Sequence, residues 1–380
     1  MEKQDKVLKK IENNLESGQA NANLGVKNND ECYTDERDIL NELSRWAALK
    51  KLQGKKIICP CDWDIVEGEN IYSITITYKE TGVEVIGNDA YKTVESVQYD
   101  LWSNDDTPVI TRITLKEDEI ADFLRDKLKC NFVRTLTQNA RPWGIKSITA
   151  SGYNPAIDKG IKFQDVDYSK YDVCITNPPF SLKAEFMSCI VGKVDFIVLL
   201  PFVSRNKNPI GIPMMLGQAY LGFGEHLPLR FANPTKENGY SEVKLVSCDW
   251  ITSYSEAQAE RNAKHWKSGV QYELYKDEFP EIPTMVMKDG TWPIRVPSDA
   301  FPEDYTGWMF TALNVLGRLD MDEYEWYATD TTGFFNKDPR GVAISPFAGH
   351  WTCDKMQLNG KKLFGGIVFR KKPVGGTAND

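Results

Sequence analysis

Residues 171–183 read YDVCITNPPFSLK, in which a short apolar run, Val173, Cys174 and Ile175, goes straight into two consecutive prolines. Proline has no N–H for a sheet ladder and keeps the residue before it extended, so a strand built on that run must end at Asn177, and end stiffly. Downstream, Leu182, Phe186, Cys189 and Ile190 recur at helical spacing. Asn177-Pro178-Pro179-Phe180 is therefore predicted on a strand-to-helix turn. In open α/β sheets that is where ligands bind.

The surrounding pattern agrees with an α/β sheet. Val7, Leu8, Ile11 and Leu15 lie on one face of a helix over residues 1–18, and an Asn-rich loop follows. Thr34 is placed to cap a helix from Asp35 to about Lys51, with acidic residues in its first turn and lysines in its last. Lys55 to Cys59 is a short strand. Residues 64–115 alternate at period two between turn residues, which predicts a small antiparallel insertion. Helical patterning returns at about Lys116, with Ile120, Phe123, Leu124 and Leu128 on one face, and KSITASGY and DFIVLLPF are further strands. The order is that of an α/β protein. After Tyr254 a polar helix gives way to Pro- and aromatic-rich segments, the mark of a separate α+β module over 255–380.

At 380 residues the chain is long enough for two domains. It has no run of eighteen apolar residues and no secretory leader pattern, which argues against a membrane span. Its eight cysteines are scattered, and Cys59 and Cys61 stand too close for a routine disulfide, so a reducing cytoplasm is expected. Cys32, Cys59 and Cys61 lack the paired spacing of a zinc site, and no metal is expected. The net charge of −8 means that any nucleic-acid face must be assembled from local basic patches.

The chemistry suited to Asn-Pro-Pro-aromatic is methylation of a planar amine. An exocyclic amine such as that of adenine is a poor nucleophile, because its lone pair is delocalised into the ring. Acceptors on its two hydrogens draw the nitrogen toward tetrahedral geometry and favour the positive charge that develops as it attacks a methyl. Asn177 offers a side-chain oxygen, Pro178 a carbonyl whose setting Pro179 fixes, and Phe180 a flat face for the ring. The competing reading is a plain helix start, with Asn as cap and Pro in the first turn. The motif does not by itself separate adenine in DNA from cytosine, guanine in RNA or a protein glutamine. A methyl donor, S-adenosylmethionine (AdoMet), would sit at the end of the first strand. There, Cys59-Pro60-Cys61-Asp62 is a strand-ending turn without a glycine pair, whose carboxylate is a candidate for the methionine ammonium.

Taken together, these segments resemble the EcoRI-type adenine-specific DNA methyltransferase family. NDECYTDERDILNEL resembles its opening segment, KKIICPCDWD its glycine-poor first motif, CNFVRTLTQNARPWGIKSITASGYNP the helix and strand that follow, and YDVCITNPPFSL its catalytic strand. NKN at 206–208, YLGFG at 220–224, VKLVSCDWITSY and LNGKKLFGGIVFRKK resemble later segments. The departures are Cys32 in place of an aromatic, Trp63-Asp64 in place of Asp-Pro, and the insertion at 64–115.

The resemblance implies a Rossmann-like AdoMet-dependent methyltransferase fold with a mainly parallel sheet over 1–254, a β-rich insertion at about 64–115, and a C-terminal target-recognition or DNA-binding module over 255–380. It implies AdoMet as cofactor and double-stranded DNA as partner. Asn177, Pro178, Pro179 and Phe180 become the adenine-activating set, with Tyr33, Thr34, Cys59, Pro60, Cys61, Asp62 and Asp165 as donor-pocket candidates. No acid follows the SITASGY strand, so Ser151 or Tyr153 would serve the ribose. Trp250 is the candidate for stacking on a flipped base, since a duplex adenine must be extruded to be reached. Arg205 and Lys207 are candidate DNA contacts, with Arg261, Lys264, Lys267, Lys361, Lys362, Arg370, Lys371 and Lys372 as further basic positions. The implied activity is site-specific adenine N6-methylation by a restriction-modification, orphan or phage-borne enzyme of the cytoplasm. The rivals are methylation of RNA or protein glutamine through the same turn, and an inactive DNA-binding protein that keeps the fold.

Overall fold

A computed structural model describes residues 33–64, 72–79, 82–87, 112–115, 130–201, 208–224, 228–232, 243–265, 270–284, 286–287, 289–298, 300–312, 315–317, 319–320, 323–328, 357–359, 361–362 and 366–372. The helices expected over 1–18 and from Lys116, and the candidate DNA contacts Arg205 and Lys207, lie outside them.

The first half runs β1 (Tyr33–Thr34), α1 (Glu36–Ala48), β2 (Lys56–Cys59), β3 (Ser73–Lys79), β4 (Gly82–Gly87), β5 (Arg112–Leu115), α2 (Asn131–Gln138), α3 (Ala140–Trp143) and β6 (Ser147–Ser151). A short hairpin, β7 (Tyr153–Asn154) and β8 (Lys159–Gly160), leads to β9 (Val173–Thr176), α4 (Lys183–Ile190), β10 (Asp195–Pro201), α5 (Asn208–Met215), β11 (Tyr220–Leu221), β12 (Pro228–Ala232), β13 (Val243–Thr252) and α6 (Glu256–His265). The remainder is β14 (Ile294–Arg295), β15 (Met309–Ala312), β16 (Tyr324–Ala328), β17 (Gln357–Leu358), β18 (Lys361–Lys362) and β19 (Gly366–Lys371).

Four strands in the order β10-β9-β2-β6 run parallel at the centre of the main sheet. Their sequences are near-continuous apolar runs because both faces are covered. Ile57, Cys59 and Ile175 point into one core with α1 and α2, while Ile58 and Cys174 point into another with α4. The mainly parallel sheet expected from sequence holds only for this centre, because both wings are antiparallel. β3, β4 and β5 extend it beyond β6, and β13, β12 and β1 extend it beyond β10. The described strands of the insertion at 64–115, β3, β4 and β5, are antiparallel, and the first adds directly to the central sheet. Thr75 and Thr149 join hydroxyls across that seam at 2.9 Å.

Strand order fixes where a ligand can enter. From β2 the chain moves to β6 on one side, then crosses back to β9 and β10 on the other. The connections diverge between β2 and β9, and it is outside the carboxyl ends of such strands that ligands bind in open α/β sheets.

A second sheet, ordered β14-β15-β19-β16, shares a hydrophobic core with α5 and β11 through Phe301, Phe369, Ile210 and Leu221. The polar helix expected after Tyr254 is α6, and it packs toward α1 through the ion pairs Arg45–Glu260 and Lys51–Glu256. Among the described residues no helix is long and apolar enough to cross a membrane.

Candidate active site

The strand predicted to end on the prolines is β9, and all its residues are buried. Helix α4 begins only at Lys183, with Leu182 at its cap and no side-chain capping bond. Asn177 is therefore not a helix cap, and neither proline sits in a first helical turn. The corner is a separate structure between strand and helix. It is closed by Leu182 N–H donating to Pro179 O at 3.0 Å and Lys183 Nζ donating to Phe180 O at 2.7 Å. Pro178 is buried, and half-buried Phe180 packs on the core that α1 and α2 line. Asn177 Nδ2 points to Thr34 Oγ1 at 3.5 Å, and Asn177 Oδ1 is buried.

Thr34 reaches the corner because it is not the cap of α1. Asp35 takes that role, accepting Arg37 N–H, while Thr34 is drawn into β1 opposite Phe231 of β12. An aspartate one residue later is at least as good a cap, which frees the threonine. Thr34 O accepts Asn131 Nδ2 from the start of α2 at 2.8 Å, and Thr34 itself is 1 % exposed.

Asp62 lies where β2 meets β9. Its Oδ1 accepts Cys130 Sγ at 2.8 Å and its Oδ2 accepts Thr176 Oγ1 at 2.6 Å. It is 3 % exposed, and burial pushes its carboxyl up to about 7 although both hydrogen bonds pull it down. Asp62 and Trp63 both donate their N–H to Ser151 O, and a Cβ at Gly152 would fall 2.0 Å from Trp63 O, so only glycine allows β6 and this turn to meet. Around it, burial pushes the Cys59, Cys61, Cys130 and Cys174 thiols up, and all four are free thiols. Pro60 is buried between Cys59 and half-buried Cys61.

The remaining candidates divide. Tyr33 stands beside Thr34 in β1, paired with Ala232. Ser151 Oγ is fully buried, and Tyr153 gives its hydroxyl to Asp158. Asp165 is exposed on a single turn, Phe163–Asp165. Trp250 is 2 % exposed and packs on Phe132 at 5.8 Å between ring centroids. Gly222 and Gly224 press against it, where added Cβ atoms would lie 2.7 and 2.8 Å from its side chain. As placed, Trp250 is a core tryptophan with no face offered to a base. Among the described residues no cluster is arranged to hold a metal.

Several basic positions also have partners within the chain. Arg261 is 3 % exposed and donates to the carbonyls of Gly222 and Gly224, so it cannot meet a phosphate. Arg370 pairs with Glu325 and lies over Trp308, and Lys371 donates to Glu303 O at 2.6 Å.

Glu42 was not singled out from sequence. Its carboxylate accepts Trp46 Nε1 at 2.8 Å, Phe223 N at 2.9 Å and Gly224 N at 2.7 Å, tying the loop after β11 to α1. Burial raises its pKa even so. A glutamate four residues before a tryptophan, with a glycine-bracketed aromatic far downstream, was the available signal.

A family model described as Adenine-specific methyltransferase EcoRI matches residues 21–372. Searches of curated proteins and of solved structures returned no match.

Proposed function

Because this chain belongs to the EcoRI adenine-specific methyltransferase family, we propose that it carries a methyl group from AdoMet to the N6 amine of an adenine extruded from double-stranded DNA. The observation that carries this reading is a convergence. The carboxyl ends of adjacent β2 and β9 bring Asp62 within 2.6 Å of the Thr176 hydroxyl, one residue before Asn177, while Thr34 stands 3.5 Å from the Asn177 amide.

The groups gathered there fit AdoMet by their chemistry. The Thr34 hydroxyl and the Asn177 amide oxygen are acceptors, which a molecule bearing a sulfonium and an ammonium requires. The turn Cys59-Pro60-Cys61 and Thr34 would hold it, at the mouth of a Rossmann-like sheet. When bound, AdoMet supplies an electrophilic methyl. Asn177 then accepts one N6 hydrogen through Oδ1 and Pro178 accepts the other through its carbonyl, drawing the lone pair out of the ring. Pro179 keeps that carbonyl in place, and Phe180 offers a face to the base. No strong base is needed, since the proton leaves after transfer. Asn177 Oδ1 is buried, so an entering base must open the cover of this corner.

Tritiated AdoMet offered with DNA, RNA or protein extract separates the substrate classes. Label in adenine of DNA supports the reading, and label confined to RNA or protein overturns it. Asn177→Ala is expected to lower transfer by about 100-fold or more with DNA binding largely retained.

A further inference from the structure

Six residues from four separate segments form a closed ring of contacts beneath the catalytic corner. Asn177 Nδ2 donates to Thr34 Oγ1 at 3.5 Å, and Asn131 Nδ2 donates to Thr34 O at 2.8 Å. Cys130, which precedes Asn131 and stands at the cap of α2, donates to Asp62 Oδ1 at 2.8 Å. Thr176 Oγ1 donates to Asp62 Oδ2 at 2.6 Å, and Thr176 is bonded to Asn177, which closes the circuit. We propose that this ring is a positioning device: Asp62, Thr176, Cys130 and Asn131 hold the Asn177 carboxamide in register for the acceptor amine. In it, Asp62 serves by bridging protein groups and not as a ligand of the methyl donor.

Resting on the function proposed above, the inference assigns a job to residues that the motif does not contain. The last torsion of an asparagine is broad and nearly two-fold, so an unsupported carboxamide swings freely. Threonine at 176 is stiff because it is β-branched, and its hydroxyl is buried against the Asp62 carboxyl. Each Asp62 oxygen already carries a donor, and at 3 % exposure the group faces its ring partners and not an open cleft. Asp62 was expected to hold an ammonium, and the geometry reassigns it.

The test uses the full-length protein with Thr176→Val and Cys130→Ala, and their conservative counterparts Thr176→Ser and Cys130→Ser. Three quantities are read: single-turnover transfer from tritiated AdoMet to sheared genomic DNA of a host lacking adenine methylation, AdoMet affinity by calorimetry, and hydrogen exchange of the backbone amides of Thr34, Thr176 and Asn177. Thr176→Val and Cys130→Ala are expected to slow transfer by about 10- to 100-fold while AdoMet affinity stays within about threefold, and the serine variants restore most of the rate. Exchange at those amides rises in the disrupting variants and returns in the serine variants. Unchanged transfer and exchange in both disrupting variants overturn the ring, as does a collapse of AdoMet affinity that matches the loss of rate. Should the natural protein label no DNA, the function proposed above fails, and the exchange pattern alone then decides the ring. If either disrupting variant does not fold, the other variant and its serine counterpart decide between these outcomes.

Discussion

At the scale of single residues the corner turns on how a carboxylate is buried. Asp62 has its carboxyl raised from 3.8 to about 7 by burial. A carboxyl raised in the folded state binds its proton more tightly there than in the unfolded chain. Its contribution to stability is therefore fully present below the unfolded value and is lost as pH rises toward 7. The prediction is that the stability of the natural protein relative to Asp62→Asn falls between pH 4 and pH 7, by at most about 4 kcal/mol, then levels off. Urea unfolding of both proteins across that range measures it, and a difference that grows with pH contradicts it. Asp62 was legible as a candidate because it follows a strand end. Its partners were not legible, since Cys130 and Thr176 lie 68 and 114 residues away in sequence. Thr34 shows the reverse case. Sequence points to Thr34 as the cap of α1, but Thr34 pairs in β1 with β12 and Asp35 takes the cap.

At the scale of elements, the loop after β11 is clamped from both sides. Glu42 on α1 accepts its backbone N–H groups, while Arg261 on α6 takes its carbonyls. Glu42→Gln would turn an amide toward donors, and is expected to cost about 2 kcal/mol, read as a lower urea midpoint at unchanged slope. At Gly222 an added methyl would lie 2.3 Å from Glu42 Oε1 and 2.7 Å from the Trp250 side chain. Gly222→Ala should therefore cost about 1–3 kcal/mol, and the double variant should fall short of the sum because the sites share a contact. Little effect from Gly222→Ala would show the loop to be looser than this packing requires. The insertion 64–115 behaves in a related way. Period-two alternation made β3 and β4 legible as antiparallel strands, but a strand pattern carries no address. Ile74 and Ile76 of β3 find their place against β6 because one face of that edge remained to be covered.

At the scale of the whole molecule, a chain of net charge −8 proposed to bind DNA must concentrate its positive groups locally. DNA affinity is accordingly predicted to fall steeply and log-linearly with salt, by about tenfold or more between 50 and 200 mM; anisotropy titrations over that range check it, and a flat response argues against phosphate contacts. Arg261 is buried and donates to backbone carbonyls, so substituting it should change stability before it changes the salt slope. The amino-acid sequence by itself determined the local and stiff features: a buried strand halted by prolines at Asn177, the apolar runs of β2, β9 and β10, and the alternation of the insertion. These depend on backbone restriction and side-chain period, which act over a few residues. Tertiary structure alone decided that Thr34, Asp62, Cys130 and Asn131 meet beneath Asn177, that Trp250 packs inward, and that α6 returns to α1. Those outcomes depend on which distant surfaces remain to be covered once the parallel centre has formed, and no local pattern records that.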